Sequence, residues 1–481
     1  MIAAVRSRSR TKSWMFVVLL LVLAVVGSVS YLGWRQSVPG VRAVVRAPRA
    51  IGHKSTIPLT VEATRGQVAR VEVRVLQGDK SAIALTQDGK LGSRVDVPLT
   101  IDSAALGLRE GAATLEVWGR DDFWRPLRQR DRVVASIPLT VDLTPPRIEI
   151  VASTQYLAPG GVGVVVFRVS DAGRADATAG RSDVSVGSVP FPSFGVGGPD
   201  RVALIALPYN YTSGTPIKIS AQDEAGNVAS RGVAAEILPR RFRNDRIEIR
   251  DAFLQLKVPE LLPQRAPSQP LINGFLVINR DLRRQAEEAK RQFAAKTADK
   301  PLWEGAFVQP RNTKVFSNFA ETRTYTYGGR EIDTQVHFGF DLASTKHAPV
   351  PAANKGTVVF VGPLTIYGNT VVVDHGWSLM TLYAHLSTIG VKVGDAVEKG
   401  QELGRSGDTG LAVGDHLHYE VLVNGISVTP VEWWDAKWIR DRFNGPLKTA
   451  GLPVIAGVGE TGGGDDTTKA PARARRARRA R

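Results

Sequence analysis

An uninterrupted apolar run near the N-terminus limits what this chain can form more than any other part of its sequence. Residues 14–34 contain no charged side chain, and Trp14 and Trp34 stand at the two ends. About 20 such residues are enough to cross the hydrocarbon core of a bilayer as a helix, and tryptophans are enriched at both membrane interfaces. We therefore predict a transmembrane helix over 14–34.

The basic residues before this run predict its orientation. Residues 1–13 contain four lysines or arginines and no acid, and positive charge tends to stay on the cytoplasmic side of a membrane. We expect a cytoplasmic tail over 1–13 and export of everything after residue 34. The alternative is a cleaved signal peptide with a weak cleavage site at 27–30. The apolar core of a signal peptide spans about 7–15 residues, which is shorter than this run.

The net charge of +16 lies largely at the two ends of the chain. Residues 1–13 and 469–481 together carry eleven positive charges and no acid, which leaves +5 for the sequence between them. So small a charge over the body of the chain argues against a nucleic-acid-binding domain with a basic face. Apolar periodicity is lost near the C-terminus, so we predict a disordered basic tail over 446–481. That tail could bind a polyanion or serve only to keep the chain soluble.

Alternating apolar and polar residues predict two β modules after the apolar run. The segment 71–75 reads Val-Glu-Val-Arg-Val, which is the pattern of a half-buried strand. Two adjacent prolines mark a hinge, and we predict β-sandwich modules over 41–144 and 145–238. The second module is similar to bacterial immunoglobulin-like modules in its Asp-Glu-Ala-Gly-Asn turn. Neither has a visible chemical site, because His53 is the only histidine before residue 337.

A linker over 239–300, containing one helix, is predicted to follow the β modules. Prolines make 239–275 irregular, and 279–296 then shows helical periodicity. The apolar stripe of this helix is narrow and consists of Leu282, Ala286, Ala289 and Phe293. Such a stripe packs on a neighbouring domain or forms a short coiled coil, and we favour packing on a domain.

Six of the seven histidines lie in the glycine-rich, strand-patterned region 301–445. The chain has no cysteine, so any metal there needs nitrogen and oxygen ligands. His416 and His418 share one face of a predicted strand. His337 and Asp341 are four apart and share one face of an extended segment. Two imidazoles and one carboxylate are a usual ligand set for a catalytic zinc ion whose fourth ligand is water.

These motifs, in this order and with His385 between them, resemble the LytM/lysostaphin family of zinc endopeptidases, the M23 peptidases. The resemblance extends to the Ala-Pro-Val-Pro-Ala run at 348–352, to Asp-His-Gly at 374–376 and to Ser-Gly-Asp-Thr-Gly at 406–410. It covers most of the region 301–445. A single His-x-His motif would carry little information, whereas the complete set is specific.

The resemblance implies a role for each residue of the set. His337, Asp341 and His418 would bind one zinc ion per catalytic domain. His385 and His416 would be the unligated catalytic histidines, acting as a general base or stabilising the oxyanion. Family enzymes cut the peptide cross-links or bridges of peptidoglycan.

The resemblance also implies a fold for the last third of the chain. It predicts a β-rich LytM-type peptidase domain over 301–445, related in shape to the barrel-sandwich of lipoyl and biotin carriers. The turn phrase at 393–401 resembles one found in those carriers. The predicted fold class is therefore mainly β, with the peptidase domain preceded by two β-sandwich modules and an N-terminal transmembrane helix.

Four further residues stand near the motifs. Asp415 takes a position where many family members have proline, and we expect a solvated turn residue rather than a support for a metal ligand. His347 is expected to bind no metal, and His375 is expected to be structural. Arg323 resembles a family position near the cleft.

The leading hypothesis is a membrane-anchored zinc metalloendopeptidase of the bacterial cytoplasmic membrane, with its catalytic domain in the periplasm or the wall zone. Its substrate would be peptidoglycan peptides, and its partners would be divisome proteins or other wall enzymes. The alternative is a non-catalytic or autoinhibited regulator of other wall hydrolases, with helix 279–296 as the candidate inhibitor. A structural adhesin, which would bind no metal at this site, is a third interpretation.

Overall fold

A computed structural model describes residues 10–127, 131–171 and 181–458 of the chain. Strands are the commonest regular structure in these residues, and helices lie at the N-terminus, before the last domain and at its end. The mainly β fold class is therefore confirmed. The chain divides into two compact units: the first runs to Glu149 and adds Arg168–Ser182 and Ile219–Arg231, and the second takes the rest.

The N-terminal helix α1 spans Arg10–Ser37. Its segment Trp14–Ser37 is long and apolar enough to cross a membrane, and every side chain from Trp14 to Trp34 is exposed. An apolar surface on all sides of a helix is typical of a membrane span, although a signal sequence has the same composition. The first nine residues of the predicted cytoplasmic tail lie outside the described residues.

Eight strands after α1 form two sheets that enclose one core. The strands are β1 Val41–Val45, β2 Ala50–Ile51, β3 Lys54–Ala63, β4 Val68–Gln77, β5 Lys80–Asp88, β6 Arg94–Asp102, β7 Gly111–Asp121 and β8 Arg132–Val141. The sheet orders are β1-β3-β6 and β2-β8-β7-β4-β5. The alternation in β4 places Val71, Val73 and Val75 in the same buried core as Leu59 of β3. Two sheets packed over a shared core form a β-sandwich, as predicted.

Nine strands follow between Arg147 and Ile237. They are β9 Arg147–Ser153, β10 Tyr156–Leu157, β11 Val162–Ser170, β12 Arg181–Val186, β13 Val189–Gly197, β14 Asp200–Ala206, β15 Ile217–Gln222, β16 Val228–Gly232 and β17 Glu236–Ile237. Seven of them form one sheet, and β10 pairs with β17 in parallel. The predicted turn before β16 is present: the Asn227 backbone and side-chain N–H groups donate to the two carboxylate oxygens of Asp223 at 2.8 and 2.9 Å.

The segment before the last domain is more helical than its prolines indicate. It contains β18 Asn244–Glu248, α2 Asp251–Leu261, α3 Leu271–Val277, a π-helical turn Ile278–Leu282 and α4 Arg283–Ala294. The predicted irregularity is confirmed for 262–270. It is wrong for α2, because burial of Leu254 and Val258 outweighs the roughly 3 kcal/mol cost of a proline inside that helix. The helix predicted over 279–296 begins earlier, with α3, and ends at Ala294.

The last domain is built from thirteen strands and several short helices. The strands are β19 Lys314–Ser317, β20 Glu321–Tyr327, β21 Arg330–His337, β22 Phe340–Ala343, β23 Pro349–Pro351, β24 Gly356–Pro363, β25 Asn369–Asp374, β26 Leu379–Ala384, β27 Thr388–Ile389, β28 Ala396–Val397, β29 Glu402–Arg405, β30 Leu417–Val423 and β31 Ile426–Val428. The helical elements are a 3-10 turn Thr365–Tyr367, α5 Val431–Trp434, α6 Ala436–Trp438, a π-helical turn Ile439–Phe443 and α7 Asn444–Thr449. The main sheet has the order β19-β22-β30-β26-β25-β24-β28, and the smaller sheets are β18-β20-β21 and β23-β29-β27.

Helix α4 packs on the main sheet and forms no coiled coil within the described chain. Its Ala286 and Phe293 lie in one core with Met380 of β26 and Leu422 of β30. Leu422 and His418 are four residues apart on β30 and therefore lie on the same face of the sheet. The prediction that the apolar stripe packs on a neighbouring domain is confirmed, and α4 covers the face that carries His418.

The folded chain continues past the predicted limit of the domain. Ile455 is buried, and the Asn444 side chain exchanges two 3.0 Å hydrogen bonds with the backbone of Ile455. The predicted disorder is therefore wrong for 446–458, where apolar residues are too sparse for a periodic pattern but still reach the core. The basic end, 459–481, lies outside the described residues.

Candidate metal centre

Three strand ends bring the predicted ligands together. His337 is the last residue of β21, Asp341 is the second of β22, and His418 is the second of β30, where it pairs in register with Asp341. The prediction that His337 and Asp341 share a face of one extended segment is wrong, because the chain turns between them and enters a different sheet. Gly339 permits this turn, since a Cβ atom there would lie 2.6 Å from the carbonyl oxygen of Tyr419.

The three candidate ligand atoms form a nearly equilateral triangle. His337 Nε2 lies 2.9 Å from Asp341 Oδ1 and 3.0 Å from His418 Nδ1, and the third side, from His418 Nδ1 to Asp341 Oδ1, is 2.9 Å. All three residues are buried. Bonds of about 2.0–2.2 Å to a tetrahedral zinc ion separate the ligand atoms slightly more widely, so a small expansion of the triangle accommodates the ion.

Hydrogen bonds on the far sides of the two imidazoles indicate their tautomers. His337 Nδ1 lies 2.9 Å from the carbonyl oxygen of Asn318, and His418 Nε2 lies 2.9 Å from Glu420 Oε1. Both partners are acceptors, so these nitrogens carry hydrogens and the opposite nitrogens direct lone pairs towards Asp341. Two lone pairs and a carboxylate repel one another unless a proton or a cation lies between them. This donor set therefore fits zinc.

Burial and charge set the protonation of this centre. Burial, opposed by Asp341 and assisted by Arg323, lowers the pKa of His337 to about 4, so this ring is neutral at neutral pH. Burial alone would raise the pKa of Asp341, but its interactions with His337 and the other histidines hold that pKa well below the usual range. Arg323 donates to Asp341 Oδ2 at 2.7 Å, so the ionised carboxylate is oriented from both sides.

His385 and His416 lie beside the candidate ligands. His385 Nδ1 is 2.8 Å from the carbonyl oxygen of Thr409, and His416 Nδ1 is 2.7 Å from that of Gly414. Each ring, when neutral, therefore presents a bare Nε2. The centroids of the two rings lie 4.8 Å apart, and His416 Nε2 is 3.5 Å from Asp341 Oδ1. Both imidazoles are placed to accept a proton next to the ligand atoms.

The backbone of His385 is held in a conformation that few residues other than glycine adopt. Its φ is 60°, in the left-handed region, and its N–H donates to the carbonyl oxygen of Tyr367 at 2.9 Å. Such conformations persist only where the surrounding structure fixes them. Burial, together with the nearby His416 and His418, lowers the pKa of His385 well below its usual value, which keeps the ring neutral.

The other residues singled out in the sequence take structural positions. The expectation that Asp415 is a solvated turn residue is wrong: its carboxylate accepts hydrogen bonds from the Ser406 hydroxyl at 2.5 Å and the His347 amide at 3.0 Å. His347 Nδ1 lies 3.3 Å from the same carboxylate and is outside the ligand cluster. His375 is fully buried between a backbone carbonyl and a threonine hydroxyl, which is a structural position.

The sequence interpretation missed a buried polar group behind His418. Glu420 Oε1 accepts a hydrogen bond from the Tyr367 hydroxyl at 2.6 Å as well as from His418, and Glu420 Oε2 accepts one from Lys290 at 2.9 Å. Lys290 comes from α4 and is fully buried. The two-residue spacing of His418 and Glu420 on a strand was a usable signal for Glu420. No local pattern relates Lys290 to either.

Similarity to known proteins is concentrated in this part of the chain. Residues 335–430 match peptidase family M23. Over 119 residues the chain is 40% identical to the peptidoglycan DD-endopeptidase ShyA of Vibrio cholerae, which covers 25% of this chain and 27% of that protein. Over 97 residues it is 41% identical to the DD-carboxypeptidase/endopeptidase Mpg of Neisseria meningitidis, which covers 20% of this chain and 22% of that protein.

Solved structures include a similar catalytic domain. The domain of the antimicrobial peptidase lysostaphin from Staphylococcus simulans is 30% identical, with a TM-score of 0.23, and the match covers 26% of this chain and 92% of that one. The chain spans about a quarter of the length of the curated relatives it matches. The segment matched to the family contains the three candidate ligands, His385 and His416, whereas Lys290 lies outside it.

Proposed function

Because the C-terminal part of this chain is a domain of peptidase family M23, we propose that the protein is a zinc metalloendopeptidase that hydrolyses the peptide cross-links of peptidoglycan. The observation that carries this proposal is the approach of His337 Nε2, Asp341 Oδ1 and His418 Nδ1 to within 3.0 Å of one another. ShyA, a peptidoglycan DD-endopeptidase by name, supports the substrate class.

The residues of the centre divide into metal ligands and proton acceptors. His337, Asp341 and His418 would hold one zinc ion, which when bound supplies a Lewis acid that acidifies a coordinated water and polarises the peptide carbonyl. One or both of His385 and His416 would act through the bare Nε2 atom as general base, accepting a proton from the attacking water and returning it to the leaving amine. Burial lowers the pKa of His385 well below its usual value, so the ring is neutral and its Nε2 carries a free lone pair.

We also propose that α1 anchors the protein in the bacterial cytoplasmic membrane, with residues 1–13 in the cytoplasm and the peptidase domain in the periplasm or wall zone. The exposed, charge-free surface of Trp14–Trp34 supports an anchor, and a wall substrate requires export. Divisome proteins or other wall enzymes are the expected partners, and the basic end could bind anionic polymers. Alkaline extraction of membranes with N-terminal sequencing separates a retained anchor from a cleaved signal peptide.

The decisive experiment compares the full-length protein with His418→Ala. Elemental analysis measures bound zinc, and mass spectrometry identifies the fragments released from purified peptidoglycan. We expect one zinc ion per wild-type chain and cleaved cross-link peptides, and the variant should lose both. His347→Ala, which changes an exposed histidine outside the ligand cluster, is the matched control and should retain both. Release of the same fragments by a zinc-free His418→Ala chain would overturn the proposal.

A regulator of other wall hydrolases is the second candidate function. It requires a metal centre that substrate does not reach, and His337, Asp341 and His418 are each at most 5% exposed. Full zinc occupancy without any product from wall preparations would support this candidate. The test requires the full-length chain, since a fragment beginning at residue 301 would lack Lys290 and the rest of α4.

A further inference from the structure

We propose that the loop leaving β7, residues 121–127, inserts into the lipid headgroup layer beside the end of α1 and forms a second membrane contact. This inference rests on the proposed anchor, because it requires α1 to cross a bilayer. It is independent of the metal centre. The loop and α1 belong to the same compact unit, and several contacts join them.

The depth of the loop follows from the length of α1. From Trp14 to Trp34 the helix rises about 30 Å at 1.5 Å per residue, which matches the hydrocarbon thickness of a typical bilayer. Trp34 therefore lies at the outer interface. The rings of Phe123 and Trp34 pack edge to face with their centroids 6.4 Å apart. Arg35 Nε donates to the carbonyl oxygen of Trp124 at 3.0 Å. These contacts place the loop at headgroup depth.

A buried arginine fixes the loop at this height. Arg125 is 4% exposed and forms an ion pair with Asp121 at the end of β7. It also donates to the carbonyl oxygens of Val38 at 3.0 Å and Pro39 at 2.9 Å, in the chain that leaves α1. The Leu127 amide donates to the Gln36 side chain at 3.1 Å. The loop is therefore tied to the end of α1 by its backbone and by the buried guanidinium of Arg125.

Three of the four exposed side chains of this loop are apolar, namely Trp124, Pro126 and Leu127, and the fourth, Asp122, accepts a hydrogen bond from the Gln67 amide at 2.7 Å. Trp124 is 48% exposed and Leu127 is 86% exposed, beside Tyr31 and Trp34 of α1, which are 50% and 48% exposed. Tryptophan and tyrosine prefer the membrane interface, where the ring contacts acyl chains and its polar atom reaches water. A lipid interface therefore suits these apolar and aromatic side chains better than water does.

The charge at the patch suits a phospholipid. The Arg35 guanidinium lies 4.4 Å from the Phe123 ring and 5.2 Å from the Trp124 ring, and it donates to the Tyr31 hydroxyl at 2.7 Å. Among the residues that the structure describes, no carboxylate pairs with Arg35. A cation held between aromatic rings at headgroup depth fits a lipid phosphate. The partner of this surface is thus the phospholipid headgroup layer.

The absence of cysteine from the chain allows a direct test with single labels. Leu127→Cys, in the full-length protein reconstituted into phosphatidylcholine–phosphatidylglycerol nanodiscs, carries an environment-sensitive fluorophore. Asp79→Cys is the matched control, because its exposed turn lies at the opposite end of β4 from the Val68–Asp121 pairing, roughly 30 Å away. Leu23→Cys, in the middle of α1, reports whether the anchor is inserted. A lipid-attached quencher and aqueous iodide are applied to each sample.

We expect the lipid-attached quencher to reduce the Leu127 signal several-fold more than the Asp79 signal, and iodide to do the reverse. If the Leu127 label behaves like the Asp79 label while the Leu23 label is quenched from lipid, the loop proposal fails and the anchor survives. If the Leu23 label is also inaccessible to the lipid quencher, the anchor and the loop contact both fail. Leu127 has few protein contacts to lose, so the substitution leaves the fold in place.

Discussion

Lys290 and Glu420 form an ion pair of 2.9 Å in which neither side chain is exposed to solvent. Glu420 also accepts a hydrogen bond from His418 Nε2, so the pair connects α4 to a candidate metal ligand. Although burial favours the neutral acid, the charge of Lys290 and the contact with His418 hold the pKa of Glu420 far below its usual range. An ionised Glu420 keeps the hydrogen on Nε2 and the lone pair on Nδ1, where a metal needs it.

Lys290→Met should weaken both metal binding and the fold. Removing one partner of a buried pair leaves the other charge uncompensated, which costs about 3–5 kcal/mol. Without Lys290, Glu420 becomes protonated or turns away, and His418 loses its orientation. We expect zinc affinity to fall about 10- to 100-fold, as is usual when the support of a ligand is lost. Chelator competition measures the affinity, and urea denaturation measures the stability.

Two further variants separate this positioning role from a general effect on α4. Lys290→Arg keeps the charge and should recover part of the zinc affinity. Arg284→Met removes a cation from the same helix at a position where the side chain is 65% exposed, and it should change neither quantity. Wild-type zinc affinity in a folded Lys290→Met protein would contradict the role assigned to the pair.

Arg323→Met should lower metal affinity by releasing the Asp341 carboxylate. The Arg323 guanidinium donates to Asp341 Oδ2 at 2.7 Å, which fixes the carboxylate so that Oδ1 faces the two imidazoles. Loss of this contact should reduce the affinity about 10- to 100-fold and alter the visible absorption of bound Co²⁺, which reports ligand geometry. The exposed Arg330, on the neighbouring strand, provides the control Arg330→Met. Identical Co²⁺ spectra for wild type and Arg323→Met would argue against the orienting role.

His385→Ala and His416→Ala should separate metal binding from turnover. Neither imidazole belongs to the triangle of ligand atoms, so each variant should retain one zinc ion per chain. The loss of a general base typically reduces the rate 10²- to 10⁴-fold, and we expect kcat on purified peptidoglycan to fall by about this range. Elemental analysis alongside muropeptide release measures both quantities. Loss of zinc from either variant would show that the residue is a ligand instead.

The parts of the fold that the sequence predicted are those set by local periodicity. Burial of Val71, Val73 and Val75 requires only alternation along one strand, and that alternation is visible in the sequence. Helix α2 could not be predicted, because its proline disfavours a helix locally. It is stabilised by packing of Leu254 and Val258 in a core shared with distant strands.

In the candidate site too, features set by local motifs could be predicted, whereas features set by long-range packing could not. The predicted ligands lie in two short motifs, and pairing of Asp341 with His418 in register brings those motifs together. The sequence could not show that His337 and Asp341 lie in different sheets, since a glycine-containing segment can turn or extend with similar ease. It also could not reveal Lys290, which is separated from Glu420 by 130 positions and reaches it only through packing of α4.

The stability of the protein should depend on pH through Glu432. This residue follows β31 at the start of α5, its side chain is 11% exposed, and its carboxylate accepts hydrogen bonds from the Val162 amide at 3.0 Å and from Arg240 at 3.2 Å. Burial outweighs both contacts and raises the pKa of Glu432 to about 7 from an ordinary value of 4.5. The folded state therefore binds this proton more tightly than the unfolded state does.

The sign of the effect follows from this difference in proton binding. Between pH 4.5 and about 7 the folded chain holds more protons at this site, so the free energy of unfolding falls as pH rises, by up to about 1.4 kcal/mol per pH unit. The Glu432 proton contributes fully to the free energy of unfolding below pH 4.5 and contributes nothing above about pH 7. The total contribution is on the order of 3 kcal/mol. Glu432→Gln has no such proton, so the difference in the free energy of unfolding between wild type and this variant cancels the effect of the other groups.

Urea denaturation at a series of pH values should show wild type losing stability relative to Glu432→Gln across this window. A constant difference between the two proteins would contradict the raised pKa of Glu432.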